Sequence, residues 1–295
     1  MPVNAPHRFD PADLVKPGPN GFGATLAHPD FDALVAQPGF LDQLPALLAK
    51  HLVIRIDAPP FAADSLGKVQ AVLGVSSVNK GPRLTGFEHI IEFNSPANPA
   101  ADPQKDADIA QILHHDSAGL AEPPRYAIVN TKSSPAKPAL HSWVDMQAVY
   151  RDLPPAMKSR INGLSVLHPA FPDIVSTRVH RDVKELPVNA RDSGQLHPLV
   201  VRNAATGLPA LYLSVRRDAK IPGKADGEAR ALLTELWERV ESSPHRWQSP
   251  VKGNDIFIWD NIATVHDRPP FSSAEPRRVW FANLAPERLL PAFAA

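Results

Sequence analysis

The chain has 295 residues, with 31 Lys+Arg set against 31 Asp+Glu and no Cys. Balanced charge gives no overall electrostatic case for nucleic acid or an anionic membrane surface; the lack of Cys excludes disulfides, thiolate metal ligands and a Cys nucleophile. The N-terminal stretch lacks the basic-then-apolar pattern of a signal peptide, and no apolar run is long enough to span a bilayer, so a soluble, cytoplasmic globular protein is expected.

The 33 Pro residues are excluded from helix interiors and central ladders, which implies many ordered loops between short elements. Residues 1–20 are expected to form an extended arm. Phe31–Gln37 and Leu41–His51 read as short helices, the second with Leu44, Leu47 and Leu48 at helical spacing. Leu52–Ile56 is apolar on both faces and reads as a central strand. Ser65–Leu73 is a third helix ended by Gly74, and His89–Phe93 another strand. Residues 94–110 lack apolar periodicity and lead directly into His114, so they are expected to form an active-site loop. Arg125–Thr131 is a strand. Trp143–Leu153 and Ala156–Gly163 read as helical turns on either side of Pro154-Pro155, and Leu164–His168 returns to strand. Residues 170–196 give no assignable pattern. Leu199–Arg202 and Ala210–Val215 flank Asn203–Gly207 as a hairpin. Asp226–Glu241 is the clearest helix, with Ala229, Leu232, Leu233, Leu236, Trp237 and Val240 on one face and Asp226 as N-cap. Asn254–Trp259 and Arg277–Leu284 are the last strands. No linker or internal repeat divides the chain, so residues 1–295 are read as one domain. Its mainly β, α+β character is that of an antiparallel β core with helices packed outside.

Within this frame Leu113-His114-His115-Asp116 has two readings when taken alone: a surface His beside a turn Asp, or part of a metal site. On a strand His114 and Asp116 project to one face and His115 to the other. An imidazole beside a carboxylate can hold two adjacent positions on a divalent metal, and one further His completes a facial triad. Near the other end stands Trp259-Asp260-Asn261-Ile262-Ala263-Thr264-Val265-His266, followed by Arg277-Arg278-Val279-Trp280-Phe281. Asp260-Asn261 by themselves read as turn residues. Arg277 and Arg278 cannot both point inward from one strand, and a guanidinium matches a carboxylate with two parallel hydrogen bonds.

From about Gly21 to Leu284 these segments, in this order, resemble the taurine dioxygenase/TfdA family of Fe(II)- and 2-oxoglutarate-dependent oxygenases. The resemblance implies a double-stranded β-helix (a jelly-roll of the clavaminate synthase-like kind) with helical additions. It implies Fe(II) held by His114, Asp116 and His266, with 2-oxoglutarate and O2 as cosubstrates. Matched residue by residue, the R-R-hydrophobic segment puts the 2-oxoglutarate anchor on Arg278, at a spacing from His266 one residue longer than in the taurine enzyme. His141 falls where the family places a cosubstrate-binding Thr. The Arg that holds taurine's sulfonate falls on Ala282, and the family's substrate His on Asn79. Arg83 and His89 are further candidates for contacting substrate, and taurine itself is an unexpected substrate.

The activity implied is oxidation of a small molecule, by default hydroxylation, with release of succinate and CO2; the carboxylate ligand Asp116 leaves no vacant position for a halide. Neither nucleic acid nor membrane is expected as partner, and a homo-oligomer is left open. Two other readings remain: a cupin-like isomerase or hydrolase using a divalent metal as Lewis acid, and a non-catalytic ligand-binding barrel. The first has no need for an Arg after His266.

Overall fold

A computed structural model describes residues 9–57, 61–75, 82–102, 106, 110–133, 138–169 and 193–293. The described part of the expected arm is not simply extended. Asp10 caps a one-turn helix, α1 (Pro11–Leu14), by accepting from Ala12 N at 2.9 Å, and β1 (Val15–Pro17) then pairs with β2 (Ala24–Ala27).

The chain continues through α2 (Phe31–Ala36), α3 (Phe40–His51), β3 (Val53–Asp57), α4 (Ala63–Leu73), β4 (Arg83–Leu84), β5 (Phe87–Ser95), β6 (Gln111–His114), β7 (Pro124–Ser133) and β8 (Leu140–Asp145). After these come α5 (Met146–Asp152), α6 (Pro155–Ile161), β9 (Ser165–Pro169), β10 (Gly194–Pro198), β11 (Val200–Arg202) and β12 (Pro209–Leu211). The long helix α7 (Asp226–Glu241) precedes β13 (Arg246–Pro250), β14 (Ile256–Asp260), β15 (Thr264–Arg268) and β16 (Arg277–Pro286).

Two sheets face each other. Among the described residues the larger has eight strands in the order β1-β2-β3-β14-β7-β16-β5-β4; the smaller has the order β13-β8-β15-β6. Alternation sorts the side chains of β14: Ile256 and Ile258 pack with Leu34, Leu44, Leu48 and Val69 of α2–α4, while Phe257 and Trp259 point inward to Trp143 of the small sheet. On the far side of the small sheet, Leu113, Val144 and Val265 pack with α5–α7 and the β11–β12 hairpin. The result is helix, sheet, sheet, helix: a double-stranded β-helix with helical additions, whose active space is the gap between its sheets.

Most elements lie where periodicity puts them, including α2, α3, α4, α7 and the β11–β12 hairpin, whose Gly207 has φ 72. Trp143–Leu153 is different. Leu140–Asp145 is strand, because it pairs with both β13 and β15, and the helix starts only after Asp145, whose carboxylate accepts from Gln147 N and Ala148 N. Asp226 is the first residue of α7 rather than its cap, which is Ala225; an acid there still favours the positive end of the helix dipole. Within the unassigned stretch, Gly194–Pro198 pairs with β9; residues 170–192 lie outside the described part of the chain.

Candidate metal centre and cavity

β6 and β15 run antiparallel with His114 directly opposite His266. Their rings come within 4.3 Å, centroid to centroid. Asp116, just beyond the end of β6, completes the group. Its Oδ1 lies 3.4 Å from His114 Nε2, its Oδ2 3.9 Å from His266 Nε2, and one ligand atom from each of the three fits within a 4.8 Å span.

The donor set suits a divalent transition metal. His114 Nδ1 is 2.7 Å from the carbonyl of Ile112, which places the proton on Nδ1 and leaves the Nε2 lone pair facing Asp116. Asp116 Oδ2 is buried, and no hydrogen bond reaches it among the described residues; a carboxylate oxygen in that condition calls for a cation. Burial, reinforced by His114, pushes the pKa of His266 down to about 3, so its imidazole is neutral, as ligation requires. Two imidazoles and one carboxylate, with the rest of the coordination sphere facing a cavity, fit Fe(II).

His115 goes the other way. Its ring stacks on Tyr212 at 4.2 Å, its Nδ1 meets the Asn261 carbonyl at 2.8 Å, and burial lowers its pKa to about 4. It belongs to the core behind the small sheet.

Asp116 and His266 open onto a cavity of about 530 Å³. Its walls are mostly apolar, with Val129, Trp143, Phe257, Trp259, Val279 and Phe281 among them. Three basic side chains also line it: His141 of β8, Arg268 of β15 and Arg277 of β16. Burial, with Arg268 adding its charge, pulls Arg277 down to about 10, which leaves it cationic at neutral pH. Phe271 supports both guanidiniums, with Arg277 4.8 Å and Arg268 5.5 Å from its ring centre. Burial and these two cations lower His141 to about 3, so it is a neutral imidazole.

The structure turns the expected anchor away from the cavity. Arg278 does not face the cavity; it points outward and its Nε donates to Glu92 Oε1 at 2.6 Å. The inward residue is Arg277, one place closer to His266, which removes the extra residue of spacing noted in the sequence. The same offset applies further along β16. Ala282 is packed in the helix-facing core, and the position facing the cavity is Phe281. Arg83 and His89 are exposed and do not line the cavity; Asn79 lies outside the described residues. Of the expected 94–110 loop, Ser95 is still the last residue of β5 and lines the cavity, and residues 103–105 and 107–109 are likewise outside.

Two residues escaped sequence reasoning. Arg268 lies two places after His266, so strand alternation could have found it. Asn261, read as a turn residue, holds the backbone of Asp116 through its side chain, and nothing in a single sequence distinguishes that from an ordinary turn Asn.

A fold of two facing sheets with a His-Asp-His cluster at the gap defines a class of metal-binding jelly-rolls. Within it, residues 14–283 match the model of the "Taurine catabolism dioxygenase TauD, TfdA family", and the chain belongs to that family. It is similar to pentalenolactone F synthase of Streptomyces arenae, 26% identical over 143 residues, which cover 46% of this chain and 48% of that protein. It is also similar to an alpha-ketoglutarate-dependent 2,4-dichlorophenoxyacetate dioxygenase of Burkholderia sp. (strain RASC), 27% identical over 158 residues, 53% of this chain and 52% of that one. Both matches span about half the length of these curated relatives. Among solved structures, a taurine dioxygenase from Burkholderia xenovorans superposes with a TM-score of 0.72 at 21% identity, covering 94% of this chain and 90% of that one; this likeness establishes the shared fold.

Proposed function

We propose that the protein is an Fe(II)- and 2-oxoglutarate-dependent dioxygenase that oxidises a small molecule. The observation that carries this reading is the convergence of His114, Asp116 and His266 on one wall of a cavity that Arg277 also lines. A Lewis-acid isomerase has no need of this half-buried guanidinium. Iron and 2-oxoglutarate, when bound, supply activation of O2 with release of succinate and CO2.

The residues of the chain do the rest. His114 and His266 would each present a ring nitrogen, and Asp116 a carboxylate, to the metal. Arg277, held against Phe271, offers paired N–H donors to the far carboxylate of 2-oxoglutarate. His141 stands where the family has a hydroxyl donor and can supply an N–H from its neutral ring. The apolar walls exclude water and leave room for an uncharged or apolar-bodied substrate of modest size. With Phe281 where the taurine enzyme has its sulfonate-binding Arg, a small sulfonate finds no cation at that position. Hydroxylation is the proposed outcome.

The test is an anaerobic titration of the Fe(II)-loaded protein with 2-oxoglutarate, followed by succinate measurement after admitting O2. A weak visible charge-transfer band and O2-dependent succinate are expected. Absence of both would sink the reading. Among the described residues no helix is long and apolar enough to cross a membrane.

A further inference from the structure

The carboxylate ligand of the centre sits on backbone that has left its sheet. β6 ends at His114, and Ser117 has already turned into the left-handed region with φ 54. Among the described residues Asp116 therefore has no neighbouring strand to take its N–H and C=O. Both are taken by one side chain. Asn261 Oδ1 accepts from Asp116 N at 2.7 Å, and Asn261 Nδ2 donates to the Asp116 carbonyl at 3.0 Å. A carboxamide carries the same donor and acceptor as a peptide group, so Asn261 acts as a one-residue strand.

Asn261 is itself fixed from several sides. Its Nδ2 also donates to the Pro124 carbonyl at 2.9 Å, its backbone N donates to the Arg125 carbonyl at 2.7 Å, and its own carbonyl is 2.8 Å from His115 Nδ1. It is fully buried, at 0% exposure. It also begins the turn that leads to Thr264 and the ligand His266. We propose that Asn261 is a positioning residue of the metal centre, which sets the orientation of the Asp116 carboxylate and couples it to the segment bearing His266. The proposal rests on the dioxygenase reading only in taking His114, Asp116 and His266 as metal ligands.

The requirement is chemical. Asp at 261 would keep an acceptor for Asp116 N but place oxygen against the carbonyls of Asp116 and Pro124. Ala would orphan three buried polar groups. Either change lets the Asp116 backbone rotate, and outer partners of metal ligands are typically worth ~10–100-fold in metal affinity.

The experiment is a Co(II) titration of the full chain without 2-oxoglutarate, read by the visible d–d bands, with the thermal midpoint of the metal-free protein measured alongside. Asn261→Ala is expected to bind Co(II) ~10–100-fold more weakly with altered bands, and Asn261→Ser, which keeps a polar atom in the space and guards against a variant that does not fold, to fall between. The control is Asn203→Ala, which removes the 2.8 Å hydrogen bond from Asn203 Nδ2 to Asp260 Oδ2 and so loosens the same turn without touching Asp116. It should lower the midpoint while leaving Co(II) affinity and spectrum as in the wild type. Unchanged Co(II) binding in Asn261→Ala, or an equal loss in Asn203→Ala, overturns the positioning role. A wild-type chain that binds no Co(II) refutes the functional reading itself.

Discussion

Arg277 and Arg278 are adjacent on β16 and serve opposite sides of it: Arg277 lines the cavity, while Arg278 is ion-paired with Glu92 on the outside. The pair converts into a direct comparison. Arg277→Ala should weaken 2-oxoglutarate binding by about 2–3 kcal/mol, the scale of a charge-assisted, two-bond contact. Arg278→Ala should leave it unchanged and cost at most ~1 kcal/mol of stability, since its pair with Glu92 is half exposed and screened. Anaerobic titration of the two Fe(II)-loaded variants decides it; equal weakening would mean that the cosubstrate lies elsewhere.

The metal centre makes a similar contrast between neighbours. His114→Ala, Asp116→Ala and His266→Ala should each abolish tight Fe(II) binding. His115→Ala should keep the iron and instead lose about 2–4 kcal/mol of stability, because it removes a buried ring stacked on Tyr212. Metal analysis after desalting, together with denaturant unfolding, separates the two effects. Iron lost from His115→Ala but retained by His114→Ala would reverse the assignment.

Substrate choice follows from Phe281. A small sulfonate would forgo a charge-assisted contact of roughly 1.5–3 kcal/mol, so taurine should release little or no sulfite in the presence of Fe(II), 2-oxoglutarate and O2. Phe281→Arg should raise sulfite release above the wild type if the geometry of β16 is as described. Efficient sulfite release by the unmodified protein would show that another residue supplies the cation.

Acid stability should depend on Asp218. Burial alone would raise its pKa, but hydrogen bonds from Arg216 and that residue's charge more than offset this and hold it below the ordinary value. A folded pKa below the unfolded one, about 3.9, means the pair stabilises the fold above that pH and loses its effect as acid takes the pH down through the folded value. Arg216 is 2% exposed, so Asp218→Asn strands a buried cation and should cost about 3–5 kcal/mol at neutral pH. Urea midpoints measured from pH 3 to 7 should show a shallower acid limb in the variant. Parallel limbs would rule Asp218 out as the source.

How much of this could be read from residues alone depended on periodicity. α7 was legible because six apolar side chains recur at helical spacing. His115 was separable from His114 and Asp116 because alternation needs no tertiary information. The strand at Leu140–Asp145 was not legible: it runs into α5 without a break, and what keeps it extended is pairing with β13 and β15, partners more than a hundred residues downstream. The Asp145 cap was the local signal. Parity on β16 was also ambiguous, because Val279, Trp280 and Phe281 are all apolar and either phase buries hydrophobic surface; spacing from His266 held the information that decided it. The cavity's second guanidinium, Arg268, was missed, although the alternation that separated His115 places it on the same face as His266.

Among the described residues the large sheet begins and ends with its shortest strands. β1 has three residues, Val15-Lys16-Pro17, and β4 has two, Arg83-Leu84. An unfinished sheet normally invites another chain to add itself, and cationic side chains and proline are common ways of discouraging this. Here Pro17 contributes no N–H at one margin, and Lys16 and Arg83 place charge at the two ends. β7, β14 and β16, which wall the cavity, thereby lie in the interior of the sheet, away from the margins where intermolecular pairing, the route to aggregation, begins.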